Sequence, residues 1–314
     1  MPPRFLEKLV HHDWMTQTPE IDNLSLCELT LPGTHNAGCD NDAFDLPLPE
    51  PTGFLSLFEW RLPTHNWVVC QDVSFEMQLI RGARALDLRL LYDGEAKGFN
   101  RFRFQHGGYR SSRTLEDLVR DVKKFLSKYP DEFIVMDFHE LQKGTSTFNH
   151  AEFKQLMLQH LGDRLIPAEN LSLPLGQLKR THPLQRILLA APMPWGTEDS
   201  RISDPVIHKW IGQTFVDTSQ LNRHIADVLS SPPDRRWLWS LSATCYTPLG
   251  GPQRIPAALD KWFDPARSDW AKKCNIINFD FIELHKIVSH CKTANLEKAI
   301  EKKEKAQTNL ETSP

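Results

Sequence analysis

Short, densely apolar runs that alternate with amphipathic helical stretches constrain the fold of this chain more than any other feature. The runs show little polar–apolar alternation, a pattern typical of strands that are covered on both faces. The six runs are Ser25–Leu31, Ala83–Leu91, Phe133–Phe138, Arg186–Ala191, Trp237–Leu241 and Asn275–Phe281. Strands of this kind predict a buried, parallel sheet.

Helical periods separate these runs. In the clearest stretch, Leu118, Val122 and Phe125 share one stripe, and Thr114 stands where an N-cap is expected. The helical stretches are Val73–Ile80, Thr114–Lys128, Ala151–Leu161 and Ser219–Leu229. Strand–helix alternation over most of the 314 residues predicts a single-domain α/β barrel, a fold that commonly takes about 250 residues or more.

The end of the chain is predicted to lie outside the barrel. A last helix is expected over Leu284–Lys305, and its second half is a run of lysine and glutamate typical of a solvated helix. We therefore expect the catalytic barrel to span residues 1–290, with a C-terminal helix end and polar tail over 291–314.

Bulk composition excludes several classes of function. The formal net charge of −3 gives no sign of a nucleic-acid partner. The opening residues lack the apolar core of a signal peptide, and no stretch reaches the roughly 20 apolar residues of a membrane span. The six cysteines fit no common zinc spacing, which predicts reduced thiols. A cytoplasmic location is expected by default, with signal-less or processed secretion left open.

Two of the thirteen histidines stand out by context. His35 lies in the LPGTHN segment just after an apolar run, and His106 precedes two glycines that let a ligand approach the backbone. Loops after the carboxyl ends of barrel strands build the active site. A single histidine in such a place is more often structural, but two with ionic partners between them point to a catalytic pair.

The ionic partners follow other apolar runs. Asp87 and Arg89 share one face of a predicted strand, and Asp137 and Asp280 each end a further run. Charges that point into a barrel need a partner or a ligand. One interpretation is a structural Asp87–Arg89 pair at the barrel mouth, and the other is a guanidinium held ready for a phosphate.

These residues together resemble the catalytic X domain of phosphatidylinositol-specific phospholipases C, with the small X-domain-only and bacterial members as the nearest match. The resemblance covers about residues 20–290. The segments that carry it, in order, are Leu31–Asn36, Gly82–Arg89, Gln105–Gly107, Glu132–Phe138, Tyr246–Pro248 and Asn275–Phe281.

The resemblance implies a distorted, incompletely closed TIM-type barrel. It also implies cleavage of phosphatidylinositol to diacylglycerol and inositol 1,2-cyclic phosphate. By position, His35 matches the general base, Asp280 the acid that orients it, and His106 the general acid. Arg89 matches the phosphate-binding arginine, and Asp87 the neighbouring acidic position.

The chain departs from the family pattern around the phosphate. Metal-dependent relatives hold calcium with an asparagine after the first histidine and two acids spaced i, i+2. This chain has Asn36 and Asp87, but Arg89 occupies the second acidic position and would repel a cation. We therefore expect a metal-independent enzyme with no cofactor. Asn36 stands where bacterial members carry an aspartate that supports His106, and it is one candidate partner of that imidazole; Asp87 and Asp137 are the alternatives.

Recognition of the headgroup is less defined by the sequence. The inositol-binding lysine and arginine of bacterial members have no clear counterpart, and His139 and Glu140 stand near the place of the lysine. Asp137, His139 and Tyr246 are the candidate substrate-binding residues. Other candidate functions are a calcium-dependent lipase or glycerophosphodiesterase of the same superfamily, and a non-catalytic barrel that binds inositol lipids.

Apolar loop residues predict contact with a membrane surface by a chain expected to be monomeric. The Pro-rich segment Pro47–Arg61 and the PMPWG segment around Trp195 follow predicted strands at the barrel mouth. The alternative for the first segment is a helix packed on the barrel end. The candidate interface residues are Phe54, Leu55, Phe58, Trp60 and Trp195.

Overall fold

The computed structural model describes residues 11–44, 67–234, 236–247 and 251–311. In chain order its strands are β1 (Leu31–Thr34), β2 (Ala85–Tyr92), β3 (Phe102–His106), β4 (Tyr109–Thr114), β5 (Ile134–Lys143), β6 (Ile187–Ala190), β7 (Ile207–Lys209), β8 (Trp239–Ser242), β9 (Tyr246–Thr247), β10 (Gly251–Pro252) and β11 (Ile276–Phe279). The α-helices are α1 (Phe75–Ile80), α2 (Leu115–Lys128), α3 (His150–Leu161), α4 (Leu175–Thr181), α5 (Thr218–Ser230), α6 (Pro256–Trp262), α7 (Trp270–Lys273) and α8 (Ile287–Glu311).

The main sheet is a curled, incompletely closed barrel. Its parallel strands pair in the order β7-β8-β11-β1-β2-β5-β6, and the described residues form no ladder between β6 and β7. The β3–β4 hairpin continues the sheet in antiparallel fashion from the second half of β2. This architecture confirms the predicted single-domain α/β barrel that does not close fully.

Five of the six predicted strands are present, and the prediction for Ser25–Leu31 is wrong. That segment makes a single 3₁₀ turn at Leu26–Glu28 before β1 begins. The Glu28 carboxylate accepts from the Ser25 backbone N–H at 2.7 Å, and the Asn275 amide donates to the Leu29 carbonyl at 2.9 Å. These side chains satisfy backbone groups that a strand would have paired in a ladder.

The helix predicted over Thr114–Lys128 is confirmed as α2. The Thr114 backbone N–H donates to Asp117 at 2.9 Å, and the Thr114 hydroxyl accepts from the Asp117 backbone N–H. This reciprocal capping box satisfies two free donors of the first turn. The buried stripe that includes Leu118, Val122 and Phe125 then packs into the main core.

A buried ion pair closes the barrel end opposite the strand carboxyl termini. Arg84, just before β2, donates from Nε to the Glu132 carboxylate at 2.8 Å, and both side chains are fully buried. The same carboxylate accepts from the Thr16 backbone, while Arg84 donates to the His12 carbonyl. Arg84 therefore has a structural role, although it lies only five residues from Arg89.

The last helix packs along the barrel and passes through the predicted domain boundary. α8 is continuous over 25 residues, and its buried Asn295 exchanges hydrogen bonds with the Thr30 backbone. The division into residues 1–290 and 291–314 stays a prediction. Among the helices in the described ranges, none combines the length and hydropathy that a membrane crossing requires.

Candidate active site

A pocket of about 430 Å³ opens at the carboxyl ends of the parallel strands. Residues at the ends of β1, β2, β5, β7, β8 and β11 face it, as does the end of β3. Its lining consists of His35, Asp87, Arg89, His106, His139, Glu140, His208, Trp210, Thr214, Ser242, Thr244, Tyr246 and Asn278. Six of the predicted site residues therefore meet in one cavity, and Asp280 lies behind His35.

His35 and Asp280 are brought together by the register of β1 and β11. Thr34 pairs with Phe279, so the residues that follow them emerge side by side. His35 Nδ1 lies 2.7 Å from Asp280 Oδ1. The Gln71 amide donates to the backbone carbonyls of both His35 and Phe279, which fixes the two loops. The carboxylate orients the imidazole and leaves Nε2 for the pocket.

Asp280 is almost fully buried, beside the charges of His35 and Arg89. Burial raises the pKa of the carboxyl above its ordinary value, while His35 and Arg89 act in the opposite direction. A carboxylate held this way strengthens the basicity of the imidazole that it contacts.

His106 faces His35 across the pocket. The ring centroids are 6.1 Å apart, and the ring planes are perpendicular. His106 Nδ1 lies 3.1 Å from the Val68 carbonyl oxygen, and Nε2 lies 3.4 Å from the Tyr246 hydroxyl. Burial, together with the charges of His35 and Arg89, lowers the pKa of His106 to about 3. Its imidazole is therefore neutral, with Nδ1 donating to Val68 and Nε2 able to accept from Tyr246.

The expected contact between Asn36 and His106 is not formed. The Asn36 side-chain oxygen instead accepts from the Cys39 thiol at 3.3 Å, and the Asn36 backbone adopts the left-handed conformation with φ 45°. The Val68 carbonyl already occupies Nδ1 of His106. A neutral backbone group thus replaces the side-chain partner that the sequence suggested.

Arg89 is oriented by Asp87. The guanidinium donates from Nε to Oδ1 at 3.1 Å and from Nη2 to Oδ2 at 2.9 Å, and Asn278 donates to the same Oδ2 at 3.1 Å. Burial alone would raise the pKa of Asp87, but Arg89 holds it well below its ordinary value. The pair is therefore ionised, and Nη1 of Arg89 remains directed away from Asp87.

A bulge in β5 adds a second carboxylate beside Arg89. The register with β2 shifts between Leu88 and Arg89, so that Arg89 pairs with Glu140. Glu140 Oε1 lies 3.6 Å from Arg89 Nη1, and the other oxygen accepts from the Gln105 amide at 3.0 Å. The sequence placed Glu140 near the position of the family's lysine, but its contact with Arg89 was not predicted, because a bulge of this kind leaves no clear mark in the apolar pattern.

Two histidines line the pocket next to Arg89, and the predicted substrate-binding residue Asp137 lies buried behind them, outside the pocket lining. The rings of His139 and His208 lie 3.8 Å apart, and His208 Nε2 is 3.0 Å from Asp137 Oδ2. Burial acts to lower the pKa of His208, but Asp137 raises it overall, whereas burial and His208 lower the pKa of His139. His208 was missed because β7 is only three residues long. The one available signal was a histidine near the end of a short β-branched run, Val206–His208.

Cys70 and Tyr246 close the pocket beside His106. The Cys70 sulfur lies 3.5 Å from both His106 Nδ1 and the Tyr246 hydroxyl oxygen. Burial raises the pKa of both groups well above their ordinary values, so both are protonated. Tyr246 was expected in the site from the family resemblance. Cys70 lies in a loop that no periodicity marks, and the sequence offered no signal for it.

Exposed aromatic residues stand at the same end of the barrel. Trp195, after β6, is 95 % exposed, and Trp210, after β7, is 55 % exposed. Phe215 is also exposed, and its ring contacts Trp67, which in turn contacts Tyr246. We call Trp195, Trp210 and Phe215 the rim aromatics. The predicted interface residues Phe54, Leu55, Phe58 and Trp60 lie outside the described residues.

Comparisons with known proteins point in one direction. No family model matches the chain. A PI-PLC X domain-containing protein 3 from Danio rerio is 24 % identical over 322 residues, which covers 92 % of this chain and 94 % of that protein. The variant-surface-glycoprotein phospholipase C of Trypanosoma cruzi is 32 % identical over 182 residues, 54 % of this chain and 47 % of that protein.

Solved structures agree with this. A variant of the phosphatidylinositol-specific phospholipase C from Staphylococcus aureus superposes with a TM-score of 0.61 at 15 % identity, over 90 % of this chain and 99 % of that one. At such low identity the superposition shows a shared fold. It confirms the predicted barrel type.

Proposed function

We propose that the chain is a member of the phosphatidylinositol-specific phospholipase C X-domain family and that it is a phosphodiesterase that cleaves phosphatidylinositol to diacylglycerol and inositol 1,2-cyclic phosphate. The observation that carries the proposal is the pair of imidazoles, 6.1 Å apart, in a pocket that Arg89 also lines. Both rings and the guanidinium can reach one phosphodiester bound in that pocket. A protein that only binds lipid has no need of both.

The geometry supports an in-line displacement by the substrate's own hydroxyl. His35, held by Asp280, removes the proton from the inositol 2-hydroxyl as that oxygen attacks phosphorus. The bond from phosphorus to the glycerol oxygen breaks, and His106 gives a proton to that oxygen. Arg89 stabilises the negative charge that gathers on the equatorial oxygens. Each proton transfer contributes on the order of 10²–10⁴-fold.

His106 needs a proton before it can serve as the acid. In the ligand-free pocket its low pKa keeps it neutral, with the Tyr246 hydroxyl beside Nε2. The phosphate monoanion of the substrate supplies the opposite charge that the pocket lacks next to His106. Substrate binding therefore generates the acid, and Tyr246 leaves Nε2 to the glycerol oxygen.

Binding of inositol 1,2-cyclic phosphate below pH 7 is expected to be coupled to proton uptake by His106. The free imidazole has a pKa of about 3, and a bound anion raises that pKa toward neutrality. Between these two pKa values the complex holds a proton that the free protein does not. Affinity should therefore rise as the pH falls, by up to about tenfold per pH unit.

Titration calorimetry in buffers of different ionisation enthalpy measures this uptake. The His106→Gln variant should lose it, whereas His160→Gln should keep it, since His160 packs on Phe99 outside the pocket. Equal proton uptake by the wild-type and His106→Gln proteins would contradict the assignment of His106.

We also propose that the reaction needs no metal ion. Both oxygens of Asp87 are engaged by Arg89, one of them also by Asn278, and the guanidinium places a fixed positive charge beside them. A calcium ion prefers six to eight oxygen ligands and no neighbouring cation. The donor set of this pocket does not fit that ion.

Phosphorus NMR of phosphatidylinositol vesicles tests the reaction and the metal together. We expect a cyclic inositol phosphate signal to appear at the same rate with and without EDTA. No cyclic product, with lipid binding intact, would favour a non-catalytic inositol-lipid-binding barrel. Full loss of turnover in EDTA, restored by calcium, would favour a calcium-dependent phospholipase.

The wall formed by Asp137, His139 and His208 is proposed to bind the inositol hydroxyls. His139 and His208 line the same pocket as Arg89, and the buried Asp137 carboxylate holds His208 from behind at 3.0 Å. Imidazole and carboxylate groups suit hydrogen bonds to a polyol. This wall takes the place of the lysine and arginine that the chain lacks.

The rim aromatics are proposed to contact the membrane that holds the substrate. Replacing Trp195 with alanine should weaken binding to phosphatidylinositol vesicles by about tenfold or more, because burying a large apolar side chain is worth about 1.5–3 kcal/mol. Sedimentation with sucrose-loaded vesicles gives the affinity.

A matched control is available at the other end of the barrel. Trp237 precedes β8 and is 54 % exposed, so Trp237→Ala removes a half-exposed indole from the end opposite the pocket. The Trp237→Ala protein should bind vesicles like the wild type. If the two variants lose affinity equally, the rim aromatics do not form the membrane surface.

A further inference from the structure

We propose that His35, Cys70 and Asp280 form a binding site for a soft divalent cation such as Zn²⁺. All three residues are buried, and one ligand atom from each lies within 4.8 Å of the other two. Imidazole nitrogen, thiolate sulfur and carboxylate oxygen are the donors that zinc takes in proteins, commonly three from the protein and one from water. A donor set of this kind differs from the all-oxygen set that calcium prefers.

An unsatisfied oxygen in the cluster points to a cation as its partner. Asp280 is almost fully buried, and its Oδ1 is bonded to His35. Its Oδ2 is buried and has no hydrogen-bond partner among the described residues. A buried polar atom without a partner is unfavourable by about 1–3 kcal/mol, more if charged. A cation held between Asp280 and Cys70 would remove that penalty.

Backbone hydrogen bonds hold the three ligands in place. The Cys70 N–H donates to the Cys39 carbonyl, and the Cys70 carbonyl accepts from the Phe281 N–H, each at 2.9 Å. His35 and Asp280 follow paired strands. Zinc–ligand bonds are about 2.0–2.3 Å long. Side-chain rotations that shift each ligand atom by about an ångström would therefore complete the site without moving the backbone.

The proposed metal site borders the pocket and shares His35 and Asp280 with the proposed reaction. Cys70 has no proton-transfer role in the proposed mechanism, and the cation would displace its thiol proton on binding. Zinc on His35 and Asp280 would remove the general base. This consequence, inhibition, rests on the proposed function, whereas the metal site itself does not.

Cobalt(II) titration of the metal-free wild-type protein tests the site without any assay of turnover. A thiolate ligand to Co²⁺ gives an intense near-ultraviolet charge-transfer band, which should saturate at one equivalent and disappear on addition of Zn²⁺. The Cys70→Ser variant should lack the band and bind Zn²⁺ at least about tenfold more weakly. That factor is the lower end of the affinity loss seen when residues that merely support metal ligands are replaced.

Cys291→Ser is the matched control, because Cys291 is an equally buried thiol on α8. That variant should keep the band at full intensity. A wild-type protein without a thiolate band, or a Cys70→Ser protein that retains it, overturns the proposal. Failure of the Cys70→Ser variant to fold leaves the wild-type titration as the deciding measurement.

Turnover provides a separate readout. Zinc at concentrations that fill the cobalt-defined site should inhibit the wild-type and Cys291→Ser proteins and leave Cys70→Ser activity insensitive. If the thiolate band is present but no variant turns over phosphatidylinositol, the metal site stands and the proposed function fails. If the wild-type enzyme turns over and zinc fills the site without inhibiting it, the inhibitory role is wrong.

Discussion

Replacing either His35 or His106 with alanine should lower kcat for phosphatidylinositol by about 10²–10⁴-fold and leave the fold intact. The fold should survive because both rings line the pocket and neither belongs to the hydrophobic core. Rates follow from phosphorus NMR, and circular dichroism with thermal unfolding reports on the fold. His160→Ala, outside the pocket, should behave like the wild type.

A substrate with an activated leaving group separates the two roles. Inositol 1-(4-nitrophenyl phosphate) expels an oxygen that needs no proton, so it bypasses the general acid. His106→Ala should therefore recover most of its rate on this substrate, and His35→Ala should not. Equal recovery by both variants, or by neither, would contradict the assignment of base and acid.

The site residues that could be predicted from the sequence are those at the ends or on one face of regular strands. His35 and Asp280 were expected together because each follows an apolar run, and the carboxyl ends of parallel strands meet at one edge of a barrel. The structure places them 2.7 Å apart. Asp87 and Arg89 were expected as a pair because alternate residues share one strand face, and they form a two-pronged contact.

Residues outside regular strands could not be predicted in this way. Cys70 reaches His106 from a loop, and its position depends on backbone hydrogen bonds to Cys39 and Phe281 that no periodic pattern encodes. Glu140 reaches Arg89 only because β5 bulges. For the same reason, none of the candidate partners of His106 accepts from its Nδ1, since the Val68 carbonyl that does so belongs to an irregular segment.

The strand predicted over Ser25–Leu31 is absent because side chains, and not a neighbouring strand, bind its backbone groups. The Ser25–Leu31 run is apolar enough for a strand, yet Glu28 and Asn275 bind its backbone groups. Apolar content therefore located the core correctly, and local polar contacts decided where the ladder begins.

Replacing Arg89 with methionine should lower kcat by about 10²–10³-fold, the loss typical of one group that stabilises transition-state charge. Methionine keeps much of the side-chain volume but leaves Asp87 without its counter-ion. Arg110→Met is a suitable control, since Arg110 pairs with Asp93 on the surface of the β3–β4 hairpin. A wild-type rate in Arg89→Met would show that the guanidinium serves only to hold the barrel mouth.

The opposite charge at the same position provides the sharper test. In the wild type, Glu140 lies 3.6 Å from the guanidinium. In Arg89→Asp, carboxylate oxygens around the vacated position would come from Asp87, from Glu140 and from the new side chain. We expect this variant to be nearly inactive in EDTA and to regain part of its rate with millimolar calcium, while the wild type is indifferent to calcium. Arg89→Met should not respond to calcium, because it adds no oxygen ligand. If Arg89→Asp and Arg89→Met respond alike, the guanidinium does not occupy a potential cation position, and the physical explanation for metal independence is lost.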